Sequence, residues 1–153
     1  MSEVLNQSAG TAPDGYHRVL EMSIPLRWGD MDSFGHVNNT VYFRFMEEVR
    51  ICWFRELPLT SAGVEGQGPV IVNASMEFLR QLHYPGDVIG RMFVGTPGRS
   101  SFDTRFELYR ADDPATLYAR GAAKCVWIDY AAAKSVPIPD ALRRAIETAG
   151  PAA

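Results

Sequence analysis

Apolar and polar positions alternate from Leu20 onward. Leu20, Met22, Ile24, Leu26 and Trp28 are apolar, and Glu21, Ser23, Pro25 and Arg27 stand between them. A period of two puts every second side chain on one face, so this segment predicts a strand with one buried face. Pro25 cannot donate to a ladder, which places it at an edge or a bulge. The period then changes over TVYFRFMEEVRICWFREL (40–57). At 100° per residue, Tyr42, Phe45, Met46, Val49, Cys52 and Trp53 gather on one side, with Arg44, Glu48 and Arg55 opposite. The wide apolar arc predicts a long, largely buried helix, capped by Asn38 or Asn39 and stopped by Pro58.

Past a glycine-rich link (Gly63, Gly66, Gly68), the period of two returns. VIVNASMEFLRQL predicts a strand with Val70, Val72, Ala74, Met76 and Phe78 on one side, and YPGD (84–87) a turn. VIGRMFVG (88–95), FDTRFELYR (102–110) and LYARGAAKCVWID (117–129) are three further strands. The last has small residues at Ala119, Gly121, Ala123 and Cys125, so something packs closely on that face. PDALRRAIETAG predicts a short C-terminal helix, with Asp140 near its start and Gly150 past its end. One strand, one long helix, four strands on tight turns and a short helix imply an antiparallel sheet wrapped on a helix, an α+β domain.

The chain has 153 residues, enough for one core, and residues 1–14 read as a loose polar tail before a single domain over 15–149. A net charge of −3 argues against a broad nucleic-acid surface. No apolar run approaches the ~20 residues of a membrane helix, and the N-terminus has no basic start or apolar core of a signal peptide. Cys52 and Cys125 each sit inside an apolar segment, as small core residues of a reducing compartment would. Together these point to the cytoplasm, with neither nucleic acid nor membrane as a partner.

Between the first strand and the helix lies RWGDMDSFGHVNN (27–39). A turn needs only Gly35 and one Asn, so two Asp, one His and two Asn exceed what a connection demands. Asp30-x-Asp32-x-x-Gly35 opens like a calcium loop, but Phe34 and Val41 fall where oxygen ligands are required. His17 and His83 lie far away in the chain, so no metal-ligand spacing forms around His36, and no GxSxG occurs. The remaining reading is a carboxylate beside a helix N-terminus. Unpaired N–H groups there polarise a carbonyl, and a nearby Asp attacks its carbon or activates water. Such chemistry suits a thioester and calls for no cofactor and no metal.

The run R-W-G-D-M-D-S-F-G-H-V-N-N-T-V-Y (27–42) resembles the signature of hotdog-fold acyl-CoA thioesterases, closest to the 4-hydroxybenzoyl-CoA thioesterase family. The resemblance extends over roughly residues 16–148. It implies a hotdog fold, with an antiparallel five-stranded sheet around one long central helix and a short C-terminal helix. It also implies a homodimer or homotetramer with interfacial active sites and an acyl-CoA substrate. By that likeness Asp32 is the nucleophile or general base, and the amide polarising the carbonyl falls near Asn39. H-V-N-N (36–39) is also similar to plant acyl-carrier-protein thioesterases, whose matching His is catalytic. Those enzymes carry Asn where this chain has Phe34, so His36 has two roles open, catalytic or loop-pinning. G-R-S-S-F (98–102) resembles a turn that meets coenzyme A phosphates, which nominates Arg99, Ser100 and Ser101 as substrate-binding.

Asn73 and Ser75 resemble polar positions facing the site, Asp30 reads as structural with Arg27, and Glu48 as an i,i+4 partner of Arg44. Glu65 is held in reserve, because one branch of the superfamily takes its Glu from another element. Two rivals stand beside hydrolysis. One is a non-catalytic acyl-CoA-binding module of the same fold, and the other is a hotdog dehydratase of hydroxyacyl thioesters.

Overall fold

The computed structural model describes residues 12–59 and 65–149, so most of the expected tail, Gly63 and Gly150 lie outside the described residues. The elements run β1 (Tyr16–Pro25), α1 (Asn39–Glu56), β2 (Gln67–Phe78), β3 (Asp87–Gly95), β4 (Ser101–Arg110), β5 (Asp113–Asp129), the two-residue β6 (Lys134–Ser135) and α2 (Asp140–Thr148). All strand pairs are antiparallel, in the order β1-β3-β4-β5-β2, with β6 added to β5. This is the hotdog arrangement, a sheet wrapped on one long helix.

The helix seats itself by burying Tyr42, Phe45, Met46, Val49 and Trp53, each worth roughly 1.5–3 kcal/mol of apolar transfer for a residue of this size. Met46, Val49 and Trp53 join Leu20, Met92, Phe102 and Phe106 from the sheet, and Leu142 and Ile146 of α2 complete that core. Two glycines let the helix come this close. A Cβ on Gly90 would sit 2.6 Å from Val49 Cγ2, and one on Gly121 would sit 2.9 Å from Met46 Sδ. The small face of the last strand is therefore the floor on which α1 rests. A second cluster (Leu26, Val37, Tyr42, Phe45, Leu82, Val88) anchors the 27–39 segment to the N-terminal half of the helix.

Three expectations need correction. Trp28 does not continue β1, because Trp28–Asp30 form a 3-10 turn that turns the indole outward, 74% exposed. The helix is not largely buried: only five of its 18 residues are, and Ile51 stands open. The third concerns β2. Its register with β5 shifts between Ile71 and Asn73, leaving Val72 as an extra residue. Such a bulge swaps faces along a strand. Opposed residues share a face, so Pro69, Ile71, Ala74, Met76 and Phe78 lie on the α1 side, opposite Trp127, Cys125, Ala123, Gly121 and Ala119. Val70 and Val72 leave the set that simple alternation predicts. From Ile71 to Ser75 this edge strand is exposed on both faces.

Candidate active site

The turn after β1 is built from its own polar groups. Buried Asp30 accepts the Arg27 N–H on Oδ2 at 2.8 Å, its carbonyl accepts the Asn38 N–H at 2.9 Å, and the Arg27 guanidinium stands 3.8 Å from Oδ1. Asp30 therefore closes the loop at both ends. Inside it, Met31 bridges to Val37, the Asp32 N–H donates to His36 O (2.8 Å) and Gly35 N–H donates to Asp32 O (3.1 Å). Gly35 makes that reversal at φ +76°, where a side chain would be strained. Asp32 Oδ1 accepts the Phe34 N–H at 2.9 Å, an Asx turn that fixes the carboxylate. Among the described residues Oδ2 has no hydrogen bond, so one oxygen positions the group and the other is open.

Asn38 is the cap of α1. Its Oδ1 accepts from Thr40 N–H (2.9 Å) and Thr40 Oγ1–H (2.8 Å). Asn39 is the first helical residue, and its N–H has no partner among the described residues. An unpaired donor at the positive end of an 18-residue helix suits a developing negative oxygen.

Asp32, His36 and Asn39 line one pocket of about 440 Å³. Its remaining wall was not legible in the sequence: Phe78, Leu79, Arg80 and Gln81 follow the bulge of β2, and Tyr42 forms the floor. The Tyr42 hydroxyl donates to Arg80 O (3.2 Å) and accepts from Leu82 N–H (3.1 Å), with burial pushing its pKa above the ordinary 10.0. His83, remote in sequence, stands edge-on to His36 with ring centroids 4.9 Å apart, and its Nδ1 lies 3.2 Å from Gly35 O. The connection from β2 to β3 over 79–86, which crosses from the edge of the sheet back toward β1, brings the two imidazoles together.

Arg99, Ser100 and Ser101 lie elsewhere in the chain. Arg99 O accepts from Ile138 N–H, Ser100 O from Trp127 N–H, and Arg143 Nη2 donates to Gly98 O at 2.7 Å. This loop follows the last residue of β3, whereas the Asp32 loop leans on the segment before its first. Nine residues of strand separate the two ends by roughly 27 Å. Within one chain the two residue groups do not meet. Glu48 contacts Cys52 rather than Arg44, which pairs at 3.8 Å with Glu47. Asn73, Ser75 and Glu65 are exposed, Glu65 just before the end of β2 that is remote from Asp32.

The thioesterase-like superfamily model matches residues 26–146. The PA2801 protein of Pseudomonas aeruginosa, described as a candidate thioesterase, is 39% identical, with TM-score 0.79 and coverage of 84% of this chain and 98% of that one. A candidate acyl-CoA thioesterase from Xanthomonas campestris is 32% identical, with TM-score 0.66 and coverage of 73% and 94%. The uncharacterized YsmA protein of Bacillus subtilis is 34% identical over 59 residues, 39% of this chain, and the match spans 40% of that relative's length.

Proposed function

Because this chain belongs to the thioesterase-like superfamily, we propose that it is a thioester hydrolase that cleaves acyl-coenzyme A esters, with Asp32 as the reacting carboxylate. One observation carries the reading: Asp32, with its open Oδ2, and Asn39, with its unpaired N–H, line one pocket. The thioester carbonyl oxygen docks on the Asn39 N–H, which strengthens its hold as charge develops there. Asp32 either attacks the carbonyl carbon or takes the proton of an attacking water. By direct attack the C–S bond breaks to leave an acyl anhydride on Asp32, which water hydrolyses to the free acid, and the departing thiolate takes a proton from solvent. By the general-base route water adds, the C–S bond breaks and the proton held on Asp32 passes to the coenzyme A thiolate. Either route returns Asp32 as a carboxylate. His36, at the pocket edge, orients Asp32 or the water.

The exposed β2 edge, with Ile71, Val72, Phe78 and Leu79 open, supports a homodimer or a dimer of dimers. In that assembly Arg99, Ser100 and Ser101 reach a coenzyme A bound in the neighbouring subunit's pocket, where a guanidinium pairs with phosphate. Cys52 and Cys125 are free, which fits a cytoplasmic protein, and no described helix is long and apolar enough to cross a membrane.

Thiol release from a panel of short, long and aromatic acyl-CoAs tests the reading, with Asp32→Asn alongside. Turnover lost by a factor on the order of 10² or more in the variant, with fold and assembly intact, is the expected result. Equal turnover by both proteins removes Asp32 from the mechanism and directs attention to His36 and Glu65. Binding of acyl-CoA without turnover by either protein makes this a binding module.

A further inference from the structure

Only part of what fixes the Asp32 loop lies inside it. Its outward hydrogen bonds land on one short segment, 82–86. Val37 donates its N–H to Leu82 O at 2.9 Å, and Leu26, just before the loop, donates to Gly86 O at 2.8 Å. His83 places Nδ1–H against Gly35 O and its ring against His36. Yet residues 83–85 are exposed and belong to no strand, so this support needs a support of its own.

Arg110, the last residue of β4, supplies it. Its Nη1 donates to His83 O (2.6 Å), its Nη2 to Pro85 O (2.9 Å), and its Nε and Nη2 to Asp112 Oδ1 (2.8 Å) and Oδ2 (3.0 Å). A planar fork can hold two carbonyls and a carboxylate at fixed angles, which a lysine ammonium cannot. The chain of contacts runs Asp112, Arg110, the 83–85 backbone, His83, then Gly35 and His36, ending beside Asp32.

We infer that Arg110 and His83 are positioning residues for the hydrolysis: Arg110 fixes the 82–86 segment, and His83 carries that position into the Asp32 loop. The inference rests on the reaction proposed above, because it concerns how Asp32 is held facing the Asn39 N–H. Small misplacement of a reacting group is costly, so the variants should lose kcat rather than substrate binding.

Amide hydrogen exchange without substrate, followed by kinetics, tests this in Arg110→Lys, His83→Ala, His83→Gln and the double variant Arg110→Lys/His83→Ala. In Arg110→Lys, Val37 should exchange about tenfold faster while Met92 and Phe106 in the sheet centre stay unchanged. Turnover should fall about tenfold with KM within about twofold, and His83→Ala should fall less. His83→Gln, which still donates to Gly35 O, should recover most of that loss. The two residues act in series, so the double variant should be no worse than Arg110→Lys alone. Unchanged Val37 exchange, a rise shared by Met92 and Phe106, or losses that multiply in the double variant would each overturn the inference. His83→Ala changes an exposed side chain and tests the same chain of contacts if Arg110→Lys fails to fold. A wild-type protein without thioesterase turnover refutes the proposed reaction, while the exchange arm still decides the positioning.

Discussion

The two ends of α1 both open into a pocket, and they are built differently. At the N-terminal end, about 440 Å³ is bordered by Asp32, His36, Asn39, Arg80 and Gln81 over a Tyr42 floor. At the C-terminal end, about 340 Å³ lies among Ile51, Phe54, Leu59, Pro69 and Trp127. Both spaces are large enough for a ligand fragment, so size does not separate them. Charge does. The N-terminal end sets an unpaired N–H and half a positive charge beside the Asp32 carboxylate, whereas the C-terminal end sets half a negative charge beside the Arg55 guanidinium, with no carboxylate among its lining residues. The proposed acyl transfer needs a reacting carboxylate next to a donor for the developing negative oxygen, and only the first pocket's lining supplies both. Under the proposed reaction, a carboxylate beside the helix N-terminus separates the two ends, more than the size of the cavity does.

The sharpest way to break this contrast is one substitution at each end. Asp32→Asn should lower kcat/KM by a factor on the order of 10² or more. Ile51→Ala, on an exposed face of the other pocket, should leave it within about threefold. Steady-state thiol release decides, and equal losses at both ends would end the assignment of chemistry to the N-terminal pocket.

Next in size is a matched pair of hydroxyl deletions. Tyr42→Phe strands the buried Leu82 N–H and frees Arg80 O, costing about 1–3 kcal/mol. Tyr130→Phe removes a hydroxyl with no hydrogen bond among the described residues, on a ring 54% exposed, and should stay within about 0.5 kcal/mol. Thermal unfolding should separate them by several degrees. Equal Tm values would mean that the floor of the N-terminal pocket is no more rigid than the rim of the other.

How far this asymmetry was legible in the sequence depends on the range of the interactions. Asp32, Gly35, His36 and Asn39 are close in the chain, and local turn chemistry with helix patterning brings them into view. The β2 bulge was not visible, because Val70 and Val72 continue the alternation and only pairing with β5 shows the extra residue. Trp28 departs from the strand for a similar reason: a 3-10 turn held by Asp30 interrupts a run that alternation alone extends. Arg110 and His83 carried no local signal, since a guanidinium at a strand end looks like solvated charge until the carbonyls it holds are known.

Between the two ends, Cys125 provides a smaller, pH-dependent effect. Burial pushes its thiol from the ordinary 9.0 up to about 12. The folded chain therefore keeps a proton that the unfolded chain loses above pH 9. Stability from this site is full below pH 9 and falls as pH rises toward 12, by about 1.4 kcal/mol per unit at most. Denaturant unfolding from pH 8 to 10 should show this decline, and Cys125→Ala, though less stable throughout, should show a flatter one. An equal slope would mean that the core around α1 admits the thiolate and is less tightly closed than its packing suggests. Tyr109, also held up at about 12, adds its own loss only above pH 10.

The smallest effect probes the helix ends directly. Asn38 caps the N-terminal end with two bonds to Thr40, whereas Leu57 at the other end has no side-chain oxygen or nitrogen to cap with. Asn38→Ala should cost about 1 kcal/mol and a few degrees of Tm. It should also loosen the first turn, so turnover falls more than stability alone explains. Asn38→Asp keeps an acceptor for Thr40 and should retain Tm. It also places a carboxylate beside the carbonyl oxygen on the Asn39 N–H, so its turnover should fall while its stability does not. If Asn38→Asp kept full activity, the developing negative charge would not lie at this helix end, and the contrast between the two ends of α1 would lose its chemical meaning.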